Sequence, residues 1–314
     1  MLQSFLTVFE QMFRILILLA VGFAFNKLHL IPREAERVLS RLVTLLFLPA
    51  IVLHTNLVEC RVDSLAQYSE LVLYGALLCF LSIGLAYAFS GQFARGDSYL
   101  KGVFRYALTF PNTGAVGTPL VLAMFGTAGL FRYNLFLFVN TILTYSWGIM
   151  QLQPSHKREG VASALRKTLN PTFLAMVLGL VLGVLGAKTW LPSVVIDTVG
   201  SLGGCYTTVS LLLTGYVVGD YSVSQALGSR RVYVYTAVRL LVIPGVFLLL
   251  LRVLNAPAEA CVMAALTYAC PCGMNTVVFP ASYGEDCRTG VSMVLISSLC
   301  SIITAPLIYA LATL

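Results

Sequence analysis

Apolar stretches of about 20 residues, the length that crosses a hydrocarbon core roughly 30 Å thick, recur along this entire chain. They fall at residues 5–25, 42–57, 71–89, 103–125, 130–152, 171–187, 194–218, 232–251, 261–282 and 291–311. Ten such runs in 314 residues leave almost nothing for a domain outside a membrane. Only 11% of the residues are charged, against roughly a quarter in a soluble domain. Backbone amides in lipid must be paired within their own segment, and the runs lack the alternating pattern of barrel strands, so each is expected to be a transmembrane helix. The fold class expected is an all-α membrane protein. The 5–25 run lacks a basic region before it and a small-residue cleavage signal after it, so it reads as a retained span.

The net charge of +7 is no sign of nucleic acid, because the Lys and Arg residues cluster between the apolar runs. That is the pattern of loops at an anionic membrane surface. With ten spans, both termini share a face with Arg14, Arg61, Arg132, Lys188 and Arg252, while the other 15 of the 20 basic residues face the opposite side. An excess of positive charge marks the cytoplasmic side. Both termini are therefore expected outside and the central loop in the cytoplasm. The eight cysteines lie mostly within apolar runs and form no CxxC pair. They are expected to be core residues, with no metal site, cofactor or enzymatic chemistry built on them.

The longest polar connection, 153–168, divides the chain into a first unit, 1–152, and a second, 169–314, of five spans each. Five is odd, so the second unit starts from the opposite side of the membrane, the inverted-repeat plan of many secondary transporters. Spans four and nine carry matching defects. Pro111 and Pro119 interrupt the one, Pro271 and Pro280 the other, and Pro111 and Pro271 are 160 residues apart. Proline lacks the amide that bonds four residues back, so Pro111 and Pro271 leave the carbonyls of Ala107 and Thr267 without their helical donors, while Gly114 and Gly273 weaken the turn that follows. Breaks of this kind persist in lipid only where protein or a watery cavity covers them, and paired breaks point to a central binding site.

New helix N-termini after each break would aim positive dipole ends into that site. One terminus contributes about 0.3–1 kcal/mol, whereas a millimolar to micromolar ligand needs about 4–8 kcal/mol. Hydrogen bonds to a charged ligand add about 1.5–3 kcal/mol each, so two or three donors close the gap. Asn112, Thr113, Asn275 and Thr276 stand nearest. A small organic anion, probed at a mid-membrane site that includes Gly114, is the substrate this predicts. Glu10, Asp197, Asp220, Glu259, Glu285 and Asp286 fall near span ends, so no mid-membrane carboxylate suggests cation coupling. A potential of 100 mV is worth about 2.3 kcal/mol per charge, enough to hold roughly a 50-fold outward anion gradient unaided. Arg14, four residues after Glu10, and Arg239, one to two turns into span eight, are expected to snorkel or pair, and His54 to be interfacial.

The stretch Phe110 to Gly126, with Pro111-Asn112-Thr113-Gly114, then Gly117-Thr118-Pro119 and Met124-Phe125-Gly126, resembles span four of the auxin efflux carrier family. Pro271 to Pro306, through Val278-Phe279, Tyr283-Gly284, Gly290-Val291 and Thr304-Ala305-Pro306, is similar to that family's last two spans. The resemblance implies ten helices in two inverted repeats, with spans one, two, six and seven as a dimerising scaffold. It implies broken, crossing spans four and nine at a substrate site that includes Pro111, Asn112, Pro271 and Asn275, and an elevator-like or rocking movement. Phe110 and Gly114 replace the asparagine and tyrosine of the plant motif, and the short central loop resembles bacterial members, some assigned to malonate or other carboxylates. The alternatives are a sodium- or proton-coupled importer of the bile-acid-transporter type and a membrane ligand sensor that carries nothing.

Overall fold

The computed structural model describes residues 2–154, 169–222 and 226–314, and within them the chain is helical, with no β-strand. The helices, in order, are α1 (Leu2–Lys27), α2 (Glu34–Glu59), α3 (Val62–Ala94), α4 (Ser98–Thr109) and α5 (Thr113–Phe136). After them come α6 (138–152), α7 (Pro171–Val184), α8 (Ser193–Gly219), α9 (Arg230–Val253), α10 (Ala258–Tyr268), α11 (Asn275–Tyr283) and α12 (Arg288–Ala312). Seven are long and apolar enough to cross a membrane, α7 and α10 being shorter apolar helices. The continuous runs expected at 103–125 and 261–282 are each divided between two helices, α4 with α5 and α10 with α11. Most of the expected connection 153–168, including Lys157, Arg158, Arg166 and Lys167, lies outside the described residues.

Prolines inside the long helices are absorbed in two ways. Pro49, Pro119 and Pro244 each follow a wide, π-helical stretch, Val43–Phe47, Thr113–Gly117 and Val238–Val242. A proline ring clashes with the carbonyl four residues back, here Leu45, Ala115 and Leu240, and a widened turn at that carbonyl relieves the clash without ending the helix. Pro119 is therefore not a break, contrary to the sequence reading. Pro280 likewise sits inside α11. The turn after Pro119 occurs instead at Gly126, whose φ of 63° and ψ of −161° only glycine adopts readily. Two helices thus run together in α5.

The outer surface is largely apolar, and polar groups are buried within an otherwise apolar core. Leu2, Phe13, Leu178, Val194, Leu249 and Ile303 face outward, while Asn56, Thr55, Thr267, Ser297 and Arg239 are fully buried. Water would not solvate such a surface, but acyl chains would. Inside, α1 packs on α8 and on α12, α2 on α7 and α8, α3 on α4 and α6, and α9 on α10 and α12. The α1–α8 contact is a reciprocal approach of backbones, Gly22 against the Leu212 carbonyl and Gly215 against the Leu19 carbonyl. Small residues let membrane helices meet this closely, since dispersion rather than water exclusion drives their association.

A methyl group at either glycine would strike a main-chain carbonyl. Overpacking of this sort costs about 1–3 kcal/mol. Gly215→Val is expected to lower the melting temperature in detergent and to broaden the size-exclusion peak. Gly84→Ala on α3, where an added methyl meets nothing within 4 Å, should leave both unchanged or improved.

Candidate functional site

The site is built where four helix ends meet. α4 stops at Thr109, Phe110 is extended, and α5 starts at Thr113. α10 stops at Tyr268 and α11 starts at Asn275. Between them Pro111 and Cys272 pair as an isolated antiparallel bridge, and the Asn112 amide donates to the Pro271 carbonyl at 2.9 Å. Two short non-helical segments thus satisfy part of each other's backbone. The two prolines make this possible from both sides, since each removes the amide that would continue its own helix.

On the α5 side, Asn112 is an N-cap. Its Oδ1 accepts from the Ala115 amide at 3.2 Å, and its main-chain carbonyl accepts from Val116 and Gly117. Its Nδ2 is left over from the cap, and Asn112 lines the cavity described below. On the α11 side, the Asn275 Nδ2 donates to the Tyr106 hydroxyl at 2.7 Å. The Tyr106 oxygen accepts there, so its own proton is available to another partner. Thr276 turns inward, its hydroxyl donating to the Gly273 carbonyl at 2.8 Å, and it is buried apart from the cavity.

The cavity between these ends measures about 240 Å³, far above the roughly 10–15 Å³ that one water needs. Pro111, Asn112, Thr113, Gly114, Gly273 and Asn275 all line it. Pro119, Pro271, Pro280 and Thr276 do not. Sequence reasoning missed most of the remaining polar lining, which includes Tyr106 on α4, Asn134 farther along α5, Asn140 and Tyr145 on α6, and Tyr206 and Ser210 on α8. Tyr106 sits five residues before Pro111 and was within reach of a motif-based reading; Asn134 and Tyr206 carry no local signal. Every side chain of the described lining is uncharged. Among the described residues no three His, Cys, Asp or Glu side chains stand together as metal ligands. What the cavity offers is neutral side-chain donors and the positive end of α5, since the amides of Thr113, Ala115, Val116 and Gly117 are already taken by Pro111 and Asn112.

The C-terminal ends of α4 and α10 are capped from α9. The Ala107 carbonyl, deprived of its donor by Pro111, accepts from the Tyr235 hydroxyl at 3.0 Å. The Tyr268 carbonyl would accept from the Cys272 amide in an unbroken helix, but that amide donates to Ser297 Oγ at 2.8 Å. Arg239 supplies the missing donor, its Nη1 reaching the Tyr268 carbonyl at 3.2 Å. Tyr235 and Arg239 lie four residues apart, hence on one face of α9. Packing holds both caps. Tyr235 meets Phe104 and Phe93 at 5.6 and 6.0 Å between ring centres, and Tyr268 meets Phe247 edge-on at 4.6 Å.

Arg239 corrects the sequence reading. It has no exposed surface, so it does not snorkel. Its position looked near a span end because α9 was read without the packing of α12 and α10 around it. Arg14 does pair with Glu10 on the exposed face of α1. His54 is half-buried against Gly200 of α8. Cys270 and Cys272 are buried free thiols.

Apolar helices that enclose a polar cavity at helix interruptions define a multi-pass membrane protein of the solute-handling kind. The sequence matches the model of the membrane transport protein family over residues 7–309. The chain belongs to that family, which is the auxin efflux carrier family, and is a membrane transporter. It is also 24% identical over 308 residues to an uncharacterized transporter of Methanothermobacter thermautotrophicus, an alignment covering 95% of this chain and 96% of the relative.

Tyr235→Phe removes the hydroxyl that donates to the Ala107 carbonyl while keeping the ring. An unsatisfied buried acceptor costs about 1–3 kcal/mol. Lower thermal stability is expected than for Tyr233→Phe, whose ring is exposed; equal melting temperatures for the two variants would contradict the capping role.

Proposed function

We propose that this transporter is a secondary carrier for a small organic anion, a carboxylate, moved across the cytoplasmic membrane by an elevator-like displacement. The observation that carries this reading is the cavity beside the paired interruptions, with its uncharged donors and the N-terminal end of α5 facing it. A carboxylate accepts up to four hydrogen bonds and carries no donor of its own, which matches such a lining. Asn112 Nδ2 and the Tyr106 proton are the donors proposed for direct contact. Asn275 acts by holding the Tyr106 hydroxyl so that its proton points away from the amide. Neutral donors also suit release, because a full ion pair buried in a dry site is costly to open.

The packing supports an inverted-repeat arrangement of ten spans. Counting the halves of spans four and nine as single spans, the first packs on the seventh and the sixth on the second. A two-fold relation that exchanges the first five spans with the last five converts one of these pairs into the other. The third span packs on the first half of the fourth as the eighth does on the first half of the ninth. α1, α2, α7 and α8 hold together as a group, which suits the proposed scaffold, with exposed apolar residues such as Leu178 and Val194 available to a second copy. The charge asymmetry supports outside termini and a cytoplasmic connection between the units 1–152 and 169–314, and the resemblance of the short central loop to bacterial members supports residence in a bacterial inner membrane.

The test is substrate-dependent current in proteoliposomes, with malonate, other carboxylates and an aromatic acid as probes. Asn112→Ala with Asn275→Ala is expected to abolish it, and Tyr106→Phe to reduce it at least tenfold. Losing the N-cap costs about 0.5–2 kcal/mol, so Asn112→Ser, which keeps a capping oxygen but loses the amide donors, separates folding from binding. Undiminished current in folded variants would discard the site; saturable binding without current in the wild type would mark a sensor.

A further inference from the structure

Arg239 is buried in the transmembrane region, and among the described residues no carboxylate pairs with it. Its surface exposure is 0%, and its Nε and Nη2 have no hydrogen-bond partner among the described residues. The described ion pairs are Arg14 with Glu10, Arg132 with Glu259 and Arg288 with Asp286, none of which involves it. Burying an uncompensated charge is expensive, so a compensating negative potential must be nearby. The structure places one there.

α10 ends beside Arg239, and α4 ends against Tyr235 on the same helix. The Tyr268 carbonyl at the end of α10 accepts from its Nη1, and Tyr235, one helical turn earlier on α9, caps Ala107 near the end of α4. The residues that follow each end, Pro111 and Cys272, are paired, so the two ends are neighbours. A helix C-terminus carries about half a negative charge, so two together amount to about one, which a single guanidinium neutralises. In carriers that couple to Na⁺ or H⁺, unwound carbonyls and half-helix C-terminal ends are where the cation sits. Here a side chain already fills that position. The turn that carries it, Val238–Val242, is the wide π-helical stretch that precedes Pro244.

We propose that Arg239 is a tethered counter-cation that occupies, between the ends of α4 and α10, the place where a cation-coupled carrier binds its free ion. The chain then needs no Na⁺ to hold its broken helices together. The flux consequence rests on the carrier reading above, and is that transport follows the substrate gradient and membrane potential alone. The stability consequence does not rest on it. Arg239 is a positioning residue, distinct from the donors that line the cavity.

Removing the guanidinium should convert a cation-independent protein into one that needs a cation. The experiment compares melting temperatures of the purified full chain and of R239A in choline, sodium and low-millimolar guanidinium chloride at equal ionic strength. The wild type is expected to be indifferent to all three. R239A is expected to melt several degrees lower in choline and to recover saturably with guanidinium, more weakly with sodium. A merely structural arginine predicts the lower melting temperature but no recovery, and that outcome overturns the proposal. Sodium-dependent stabilisation of the wild type overturns it as well. Should R239A not fold, R239K decides with the wild type: both must remain sodium-indifferent, and a sodium response in either one rejects the idea. In proteoliposomes under clamped potential, malonate flux should be equal in sodium and choline for the wild type and dependent on guanidinium or sodium for R239A. If no carboxylate is carried at all, the carrier reading fails, while the melting comparison still decides the role of Arg239.

Discussion

A main-chain carbonyl or amide left unpaired in a membrane interior costs several kcal/mol, and no water is present to take the place of the missing partner. This chain carries two prolines that create such orphans, and the rest of its interior is arranged around them. The Asn112 amide goes to the Pro271 carbonyl, the Ala107 carbonyl to Tyr235, the Tyr268 carbonyl to Arg239 and the Cys272 amide to Ser297. The interruptions are tolerated because each supplies part of what the other lacks and α9 and α12 supply the remainder. Remove one partner and the other is stranded.

That solution also sorts charge. Helix N-terminal amides and neutral donors collect on the cavity side, and carbonyl ends collect on the side of α9, where an arginine meets them. A cavity that is polar but uncharged, with the N-terminal end of α5 facing it, presents a mildly positive potential without a fixed salt-bridge partner. On the reading proposed here, this favours anions over cations while keeping binding weak enough to reverse. The wide turns before Pro49, Pro119 and Pro244 belong to the same economy of backbone pairing, since each keeps a helix continuous past a residue that cannot donate.

Much of this was legible from local sequence, and the rest was not for identifiable reasons. Long apolar runs announce helices because lipid permits little else, and α1, α8, α9 and α12 follow those runs closely, whereas α3 extends past its run at both ends. Pro111 and Pro271 mark where α4 and α10 end, because proline acts on its own helix within four residues. The same logic misjudged Pro119 and Pro280, where a widened turn or plain accommodation keeps the helix intact; the choice depends on space around the carbonyl four residues back, which the sequence does not encode. Asn112 and Asn275 were visible as polar residues after a break, but the Asn275 partner, Tyr106, lies 169 residues away. Thr276 shares the local pattern of Asn275 and yet points to the Gly273 carbonyl, one helical position being enough to turn it from the cavity. The caps on α9 were invisible because Tyr235 is separated from Ala107 by 128 residues, and Arg239 looked like a residue near a membrane surface until its neighbours covered it.

The most direct test of the central claim is a cryo-electron microscopy map of the protein in a lipid nanodisc, resolved well enough to trace the main chain at 109–113 and 268–275. The account predicts that both helices are interrupted near the middle of the bilayer, with Asn112 and Pro271 within hydrogen-bonding distance and solvent density in the adjoining cavity. A continuous helix through either segment, or two interruptions that lie apart against acyl chains, would contradict it.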